Sequence, residues 1–467
     1  MKGTTVPSFD TRVPAVLMRL DRNPFHHGTL GAVRSLGRAG IEVHAVIEAA
    51  RSPVGRSRYL RRAHLRPDRS TDLSEIQRLL SEIADGLATP AVLIALDDVS
   101  AIAVGRLQQR LAGRYLLPEQ PSGLPERVAD KAELVEICGA LDIPHPRTVI
   151  PGGAEEAAAA AWSLGLPVVA KWSRPWLLPD GAGLRSTQVV RSPKEARDLY
   201  GRSDEAGSRL LLQEFLPPGR DLDWFFHGYS GSGGECLVGA TGRKERSWPV
   251  GAGLTAVGRW LPNPDVERMA RQIVSSLGYR GILDLDFRLD TATGAYHLLD
   301  FNPRAGAQFR LFTDGSGTDV VRALHLDLTG RDVPAQPAAH GRSFVVENYA
   351  FLSCLSSGPF SWRTRAGRAR AEAARAGEVP GAQVPGARPR SVETAWFALD
   401  DPLPACSMAV AWFVHAVRRA WRRAWSQCWR RLRRTRPDRR SPPPAVPHAP
   451  QAPHTHPKRS VSSPRPR

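Results

Sequence analysis

Cysteine is scarce in this sequence and follows no pattern. Five cysteines are spread over 467 residues, without the spacing of a metal site, namely Cys138, Cys236, Cys354, Cys406 and Cys428. An odd number of scattered cysteines argues against a disulfide framework and favours reduced thiols in a cytoplasm. The first residues contain no apolar stretch of the kind that a secretory signal needs, so we expect a cytoplasmic protein.

A glycine-rich dinucleotide fingerprint is also missing, although the N-terminal part alternates like an α/β domain. Residues 13–20 form an apolar run typical of a buried strand, a segment with helical spacing follows, and residues 41–47 are again apolar. Strand, helix and strand in this order predict a parallel sheet. We therefore predict an N-terminal parallel-sheet α/β domain over residues 1–115. In the loop after its first strand, His26 and His27 either touch a substrate or pack on their own domain.

Acidic residues gather in a predicted hairpin within residues 281–309. Two strand-like runs flank a turn, with Asp286 on the first run and Asp300 and Asn302 on the second. Side chains two apart in a strand point the same way, so a hairpin brings all three together. Their oxygens suit Mg²⁺ that nucleotide phosphates also hold, and the planar fork of Arg304 suits a phosphate. The alternative is a surface hairpin without a ligand.

Two lysines and a glycine-rich segment precede this hairpin. Lys131 opens a predicted helix, and Lys171 ends a predicted strand. Next come Gly181, Gly183 and Ser186, where the glycines allow the backbone to approach an anion and the hydroxyl adds a donor. Taken singly, the glycine-rich segment can be an ordinary turn, and either lysine can be an ordinary surface residue.

A further strand, residues 210–216, ends in a proline–glycine break. Glu214 and Asp221 stand on either side of that break. After two more predicted strands, Lys244 lies between basic neighbours in a segment that supplies a cation to a phosphate or to a substrate carboxylate. The alternative for those neighbours is plain surface charge.

The order of these residues along the chain resembles the ATP-grasp superfamily. The matching series is Lys131, Lys171, Glu214, Asp221, Asp286, Asp300 and Asn302. The resemblance implies a two-lobed nucleotide-binding and catalytic module over residues 116–330, behind the α/β domain. The predicted fold class is therefore α/β and α+β. Two positions depart from the superfamily pattern, since Asp221 and Asp300 stand where Glu is usual.

The resemblance also implies a role for each site residue. The residues implied to bind ATP are Lys131 and Lys171 at the phosphates, Gly181, Gly183 and Ser186 in a covering loop, Gln213, Glu214, Phe215 and Leu216 at adenine, and Asp221 at the ribose. The implied ligands of Mg²⁺ or Mn²⁺ are Asp286, Asp300 and Asn302, and the implied catalytic residues are Arg304 and Lys244.

The activity that the resemblance implies is ATP-dependent joining of a carboxylate to an amine through an acylphosphate. Both substrates are expected to be small molecules, and the sequence names neither of them. Two alternatives stay open at this point. One is an ATP-binding regulatory protein that forms no bond, and the other is a membrane-surface adaptor that acts through the basic tail.

The positive charge is concentrated in the C-terminal quarter. Residues 361–467 contain 22 Arg and Lys against 6 Asp and Glu, which accounts for most of the net charge of +18. We predict a C-terminal part with an Ala/Gly/Pro/Arg linker over 331–401, an amphipathic Trp/Arg-rich helix over 402–436 and a disordered tail over 437–467.

The Trp/Arg-rich helix has two interpretations. Its apolar run is too short to span a bilayer. A tryptophan stripe beside dense arginine either binds an anionic membrane surface, at the inner face of the membrane, or packs on the protein's own body. No specific nucleic-acid partner is expected, because a single helix is not a reader fold.

Overall fold

The N-terminal domain is built around a parallel sheet. The computed structural model describes residues 7–69, 71–179, 181–249, 253–334, 340–357 and 391–434, so most of the predicted linker and all of the predicted tail lie outside the described residues. The domain's elements are β1 Ala15–Met18, α1 His27–Arg38, β2 Val43–Ile47, β3 Arg62–Leu65, α2 Leu73–Asp85, β4 Ala91–Ala95, α3 Asp98–Leu111 and β5 Tyr115–Leu116. Its described strands pair in the order β3-β2-β1-β4-β5, all parallel, as the sequence predicts.

A smaller lobe follows, with an antiparallel sheet. Its elements are α4 Leu124–Ala129, α5 Lys131–Ala140, β6 Thr148–Val149, α6 Ala154–Leu164, β7 Val168–Trp172, β8 Thr187–Val190, α7 Pro193–Tyr200, α8 Ser203–Ala206 and β9 Leu210–Glu214. The strand order is β6-β9-β7-β8. Alanines of α6 pack with the apolar residues of β7 and β9 into one core, which leaves Lys171 at the end of β7 facing the next lobe.

The larger lobe carries the predicted acidic hairpin. Its elements are β10 Asp223–Ser230, β11 Cys236–Trp248, β12 Leu254–Trp260, α9 Pro264–Leu277, β13 Gly281–Leu289, β14 Tyr296–Asn302, α10 Val320–Leu328, β15 Ser343–Val345, α11 Glu347–Ser357 and β16 Val392–Thr394. The described strands pair in the order β14-β13-β10-β11-β12-β15-β16. Strands β15 and β16 lie beyond residue 330, where the sequence places the end of the module, yet they extend its sheet.

The segment after β16 returns to the N-terminal domain. Asp401 accepts hydrogen bonds from Arg34 Nε at 3.0 Å, from Ser57 Oγ at 2.7 Å and from the backbone N–H of Arg58 at 3.0 Å. The Arg34 and Asp401 side chains are 4% and 2% exposed. A buried pair with all these partners attaches residues 391–401 firmly to helix α1.

The last described element is helix α12, Leu403–Arg434, which falls within the range 402–436 of the predicted Trp/Arg-rich helix. The chain divides into two compact units, Met1–Ala411 and Trp412–Arg467, and α12 continues into the second. Within that unit the rings of Trp421 and Trp425 stack with centroids 5.5 Å apart, and both side chains are largely exposed. In the described part of the chain, no helix combines the length and apolarity needed to cross a bilayer.

Candidate functional site

A large cleft lies where the N-terminal domain and the two lobes meet. Its volume is about 1740 Å³. The N-terminal domain contributes loops at the carboxyl ends of β1 and β4, the smaller lobe contributes the end of β7 and the end of β9, and the larger lobe contributes β13 and β14. The predicted site residues that line it are Lys171, Ser186, Gln213, Glu214, Phe215, Leu216, Lys244, Asp286, Asp300 and Arg304.

Strand register places the two predicted carboxylates opposite each other. In the β13–β14 hairpin Asp286 pairs with Asp300, and Asp284 pairs with Asn302. The connecting turn is closed by hydrogen bonds from Asp290 and Gly294, within the turn that the sequence predicts. Asn302 does not line the cleft and donates its Nδ2 hydrogen to the backbone oxygen of Asp284 at 3.2 Å, which leaves its amide oxygen as an acceptor.

The two lysines converge on Asp300. Lys131 forms an ion pair with Asp300, and Lys171 Nζ lies 3.7 Å from the same Oδ1. Lys171 also donates to the backbone oxygen of Leu299 at 3.0 Å, which fixes its position across the gap between the lobes. Burial lowers the pKa of Lys171, although Asp300 opposes the shift. For Lys131 the carboxylates outweigh burial and raise the pKa. Both lysines therefore face the same carboxylate across the gap between the lobes.

Asp286 is the carboxylate with the least support. None of the described residues donates a hydrogen bond to it, and burial raises its pKa to about 6, although Lys244 opposes the shift. Asp284 and Asp300 add to the rise because like charges disfavour ionisation. A half-buried carboxylate without a donor is one that a bound cation would stabilise.

The donor set fits magnesium that is shared with a nucleotide. Among the described residues no three His, Cys, Asp or Glu side chains group as a metal site. The predicted set instead has two carboxylates and one amide oxygen, on adjacent strands. Mg²⁺ in nucleotide sites is bound through one or two carboxylates together with substrate phosphates and water. The residues present therefore suit Mg²⁺ only when a phosphate supplies further ligands.

Arg304 is held by residues that sequence reasoning did not assign to the site. Its Nη1 donates to Asp284 Oδ2 at 2.6 Å, and its Nε lies 3.5 Å from Asp98 Oδ1. Although burial opposes it, these carboxylates raise the pKa of Arg304. His227 Nε2 lies 3.0 Å from the other oxygen of Asp284, in an alignment too poor for a hydrogen bond. The D-x-D alternation of β13 was the available signal for Asp284, since it places Asp284 on the face of Asp286.

Gly306 is required by the closeness of that cluster. A Cβ at this position would lie 2.2 Å from His227 Cε1 and 2.7 Å from Asp284 Oδ2. Both contacts are far shorter than side chains tolerate. The glycine therefore allows the chain after Arg304 to pass directly over the pair that holds it.

Asp221 is the residue predicted to bind the ribose. That residue lies outside the cleft wall, has φ of 66° and is 3.2 Å from Arg243 Nη1. Asp223 lines the cleft instead, and Arg288 Nε donates to it at 2.6 Å. Arg288 also donates to the backbone oxygen of Leu216 at 3.0 Å, which ties Asp223 to the predicted adenine segment.

The other predicted residues differ in their distance from the cleft. Gly181 and Gly183, with φ of 82° and 72°, are in the left-handed region that favours glycine, but neither lines the cleft. Lys131 reaches it only through Asp300. Glu214 lines the wall and is paired with Arg147 Nε at 3.0 Å.

The two histidines of the first loop border the cleft. His26 caps helix α1 by accepting a hydrogen bond from the backbone N–H of Thr29 at 3.2 Å. His27 packs against the rings of Phe344 and Trp396, and its Nε2 has no partner among the described residues. Burial lowers the pKa of His27 to about 4, so its imidazole is neutral.

The two lobes around one cleft have the ATP-grasp fold, which solved structures share at low sequence identity. Among solved structures, one similar to it is N5-carboxyaminoimidazole ribonucleotide synthetase in complex with ADP, with a TM-score of 0.52 and 14% identity over 72% of this chain and 81% of that one. Another is the biotin carboxylase domain of the Hydrogenobacter thermophilus 2-oxoglutarate carboxylase, bound to Mg-ADP, with a TM-score of 0.50 and 18% identity over 69% of this chain and 71% of that one.

Two characterised proteins are also similar to this chain in sequence. The chain is 22% identical over 261 residues to D-aspartate ligase of Enterococcus faecium, which covers 54% of this chain and 61% of that protein. It is 26% identical over 243 residues to the carbamoyl phosphate synthase large chain of Kocuria rhizophila, which covers 50% of this chain and 20% of the relative. The chain thus spans less than two thirds of the length of either relative. No protein-family model matches it.

Proposed function

We propose that this protein is an ATP-dependent ligase that joins a small carboxylate to an amine through an acylphosphate. The observation that carries the proposal is the convergence of Lys131 and Lys171 on Asp300, opposite Asp286 and beside Arg304, in one cleft between two lobes. Cationic side chains beside carboxylates in one cleft suit a triphosphate with its metal ion. D-aspartate ligase and the nucleotide complexes among the similar structures support the same reaction class.

The nucleotide would lie along the gap between the lobes. The segment Gln213 to Leu216 lines the end of the cleft where β9 stops, and it offers backbone groups to adenine. Asp223, which lies on the wall, is better placed than Asp221 to accept the ribose hydroxyls. Lys171 then faces the phosphates, Lys131 lies next to them through its pair with Asp300, and Ser186 lines the same cleft.

Asp286, Asp300 and Asn302 would hold Mg²⁺, or Mn²⁺, together with the phosphates. When bound, the metal neutralises phosphate charge that builds up during transfer.

The chemistry has two steps. A carboxylate oxygen of the substrate attacks the γ-phosphorus, a new P–O bond forms, and the bond to ADP breaks. The amine nitrogen then attacks the acyl carbon of the acylphosphate, phosphate leaves, and the amine loses a proton. Arg304 and Lys244 supply positive charge near the acidic hairpin, where the transferred phosphoryl group and the later oxyanion develop negative charge.

The test is ADP release measured over pairs of amino acids and dipeptides, with mass spectrometry of the product. Aspartate enters the screen first, as carboxylate and as amine, because a relative is a D-aspartate ligase. A carboxylate labelled with ¹⁸O must transfer one label to the released phosphate, since the acylphosphate bridges those atoms. ADP release that needs no amine, or phosphate without the label, contradicts the proposal.

A membrane contact through α12 is a separate proposal. Trp421 and Trp425 are 68% and 58% exposed and stack on each other, and Arg418 precedes Trp421 by three residues on the same helix. Aromatic rings next to arginine favour the headgroup region of an anionic bilayer. Sedimentation with phosphatidylglycerol vesicles, but not with phosphatidylcholine vesicles, is the expected outcome, and sedimentation with neither contradicts it.

A further inference from the structure

A second cavity of about 350 Å³ lies next to the cleft. Its wall is formed by one face of α1, by the turn Phe309–Phe312, by β15 and by the segment that includes β16. His27 and Ala307 border both the cavity and the cleft. The space is much larger than one water molecule needs, so it is not a packing defect.

Arginine dominates the charged part of this wall. Among the described wall residues the cations are Arg34, Arg38, Arg310 and Arg342, and the acids are Glu393 and Asp400. Arg34 and Arg38 share a face of α1 with His27 because residues three or four apart on a helix are neighbours. We call this space the arginine cavity.

The carboxylates around it are shared between guanidinium groups. Glu393 accepts from Arg310 Nε at 2.6 Å and also pairs with Arg342. Asp319, behind the wall, lies 3.1 Å from Arg310 Nη1 and also accepts from Ser35 Oγ at 2.6 Å. Arg322 adds a further cation nearby, and its guanidinium donates to backbone oxygens. With Asp400 and Asp401 included, the described groups of this cluster are five arginines and four carboxylates.

Two buried nitrogens at the wall have no hydrogen-bond partner among the described residues. They are Arg342 Nε and His27 Nε2. Buried N–H groups are almost always paired, because an unmet donor loses its hydration without compensation. An acceptor on a bound molecule would supply the missing partner for the guanidinium.

Attachment of residues 391–401 to α1 explains only part of this arrangement. The Arg34–Asp401 and Arg38–Asp400 pairs join the two segments. They do not account for the open volume, for the excess of cations or for the unmet donor of Arg342. These three features describe a binding site better than a closed interface.

We propose that the arginine cavity binds a small anion that carries carboxylate or phosphate groups. Guanidinium groups bind both of these by paired N–H donors in a plane. Two sources share this chemistry. One source is a distal acidic group of the carboxylate substrate, and this source rests on the proposed function. The other source is a separate regulatory anion, and it is independent of the proposed function.

Calorimetric titration of the full-length protein with citrate and with inorganic phosphate tests the site. Ala398→Phe fills the cavity from its wall without removing an ion pair, and Arg342→Gln removes the unmet donor. We expect saturable binding of citrate or phosphate that is lost in Ala398→Phe and at least tenfold weaker in Arg342→Gln. The matched control is Arg78→Gln, which removes an arginine from the exposed pair with Glu82 on α2 and should leave the dissociation constant unchanged.

Absence of saturable binding, or binding to Ala398→Phe as tight as to the unaltered protein, overturns the proposal. Mg-ATP affinity is measured on the same samples, so that a failed ATP site and a failed anion site are told apart. Once substrates are known, ADP release at constant free Mg²⁺ separates the sources. A citrate effect confined to the KM of the carboxylate identifies the distal group of the substrate, and an effect on kcat identifies a regulator.

Discussion

Replacing Asp300 with asparagine should affect metal-bound and metal-free ATP in opposite directions. Lys171 Nζ lies 3.7 Å from the Asp300 carboxylate, in a part of the cleft that is largely buried. At an effective dielectric constant of about 20, one such pair of charges interacts by about 4 kcal/mol. Metal-free ATP carries its full negative charge toward this carboxylate, so the substitution should strengthen its binding. Mg-ATP instead loses a metal ligand and should bind at least about tenfold more weakly.

Fluorescence titration with a labelled ATP analogue, with and without Mg²⁺, measures both affinities. Turnover should fall by about a hundredfold or more, as expected when one preorganised group at a developing charge is removed. Asp290→Asn is the matched control, because Asp290 lies in the turn of the same hairpin and asparagine keeps the side-chain oxygen that accepts from Ala292 N. If both affinities change by the same factor, Asp300 does not lie between the lysines and a metal ion, and the reasoning is wrong.

Three single residues lead to further predictions. Asp286→Asn should raise the free energy of unfolding of the ligand-free protein at pH of about 8 by up to about 3 kcal/mol. The reason is that the folded pKa of Asp286, about 6, lies above its ordinary value of 3.8, so the unaltered protein loses stability as the pH rises from about 4 through 6. The gain from the substitution should therefore vanish in acid, where Asp286 is protonated in both states. Gly306→Ala should lower turnover at least about tenfold, since its Cβ would displace the residues that hold Arg304. Asp401→Ala should cost about 3–5 kcal/mol in urea unfolding, because it leaves a buried guanidinium unpaired.

Matched control variants test whether each effect comes from the residue that is changed. Gly315→Ala matches Gly306→Ala, because a Cβ at Gly315 meets nothing within 4 Å. Asp265→Asn, at an exposed acid on α9, matches Asp286→Asn and should be neutral at both pH values. Equal effects of a variant and its control would show that the contact in question is not the cause.

Local features were sufficient to predict the elements that carry the chemistry. Helix α9 spans Pro264–Leu277 because Asn263 caps its first turn, proline opens it, and Gly278 in the left-handed conformation ends it. The hairpin is equally local, since alternation and a turn define both strands. Alternation and the turn are therefore enough to predict that Asp286 and Asp300 lie close together, and the strand register confirms it.

Site residues that depend on contacts between distant parts of the chain were harder to predict from the sequence. Asp98 is the first residue of α3, where an acid stabilises any helix, so nothing local distinguishes a site residue from a favourable charge. Its position 3.5 Å from Arg304 depends on how the N-terminal domain packs on the larger lobe. Strands β15 and β16 are three residues each, too short for a period to show. The ribose contact at Asp221 stays a prediction; Asp221 has a positive φ, and Asp223 lies on the cleft wall.

The sequence by itself determined which elements form and which residue types they present at their ends, because periodicity, caps and turns act over a few residues. Only the tertiary structure decided which of those residues share a cleft. Lys131, Lys171 and Asp300 come from three elements far apart in the chain, and they meet because two sheets and the domain before them pack around one gap. The arginine cavity has the same origin, since its wall closes only when residues 391–401 return to helix α1.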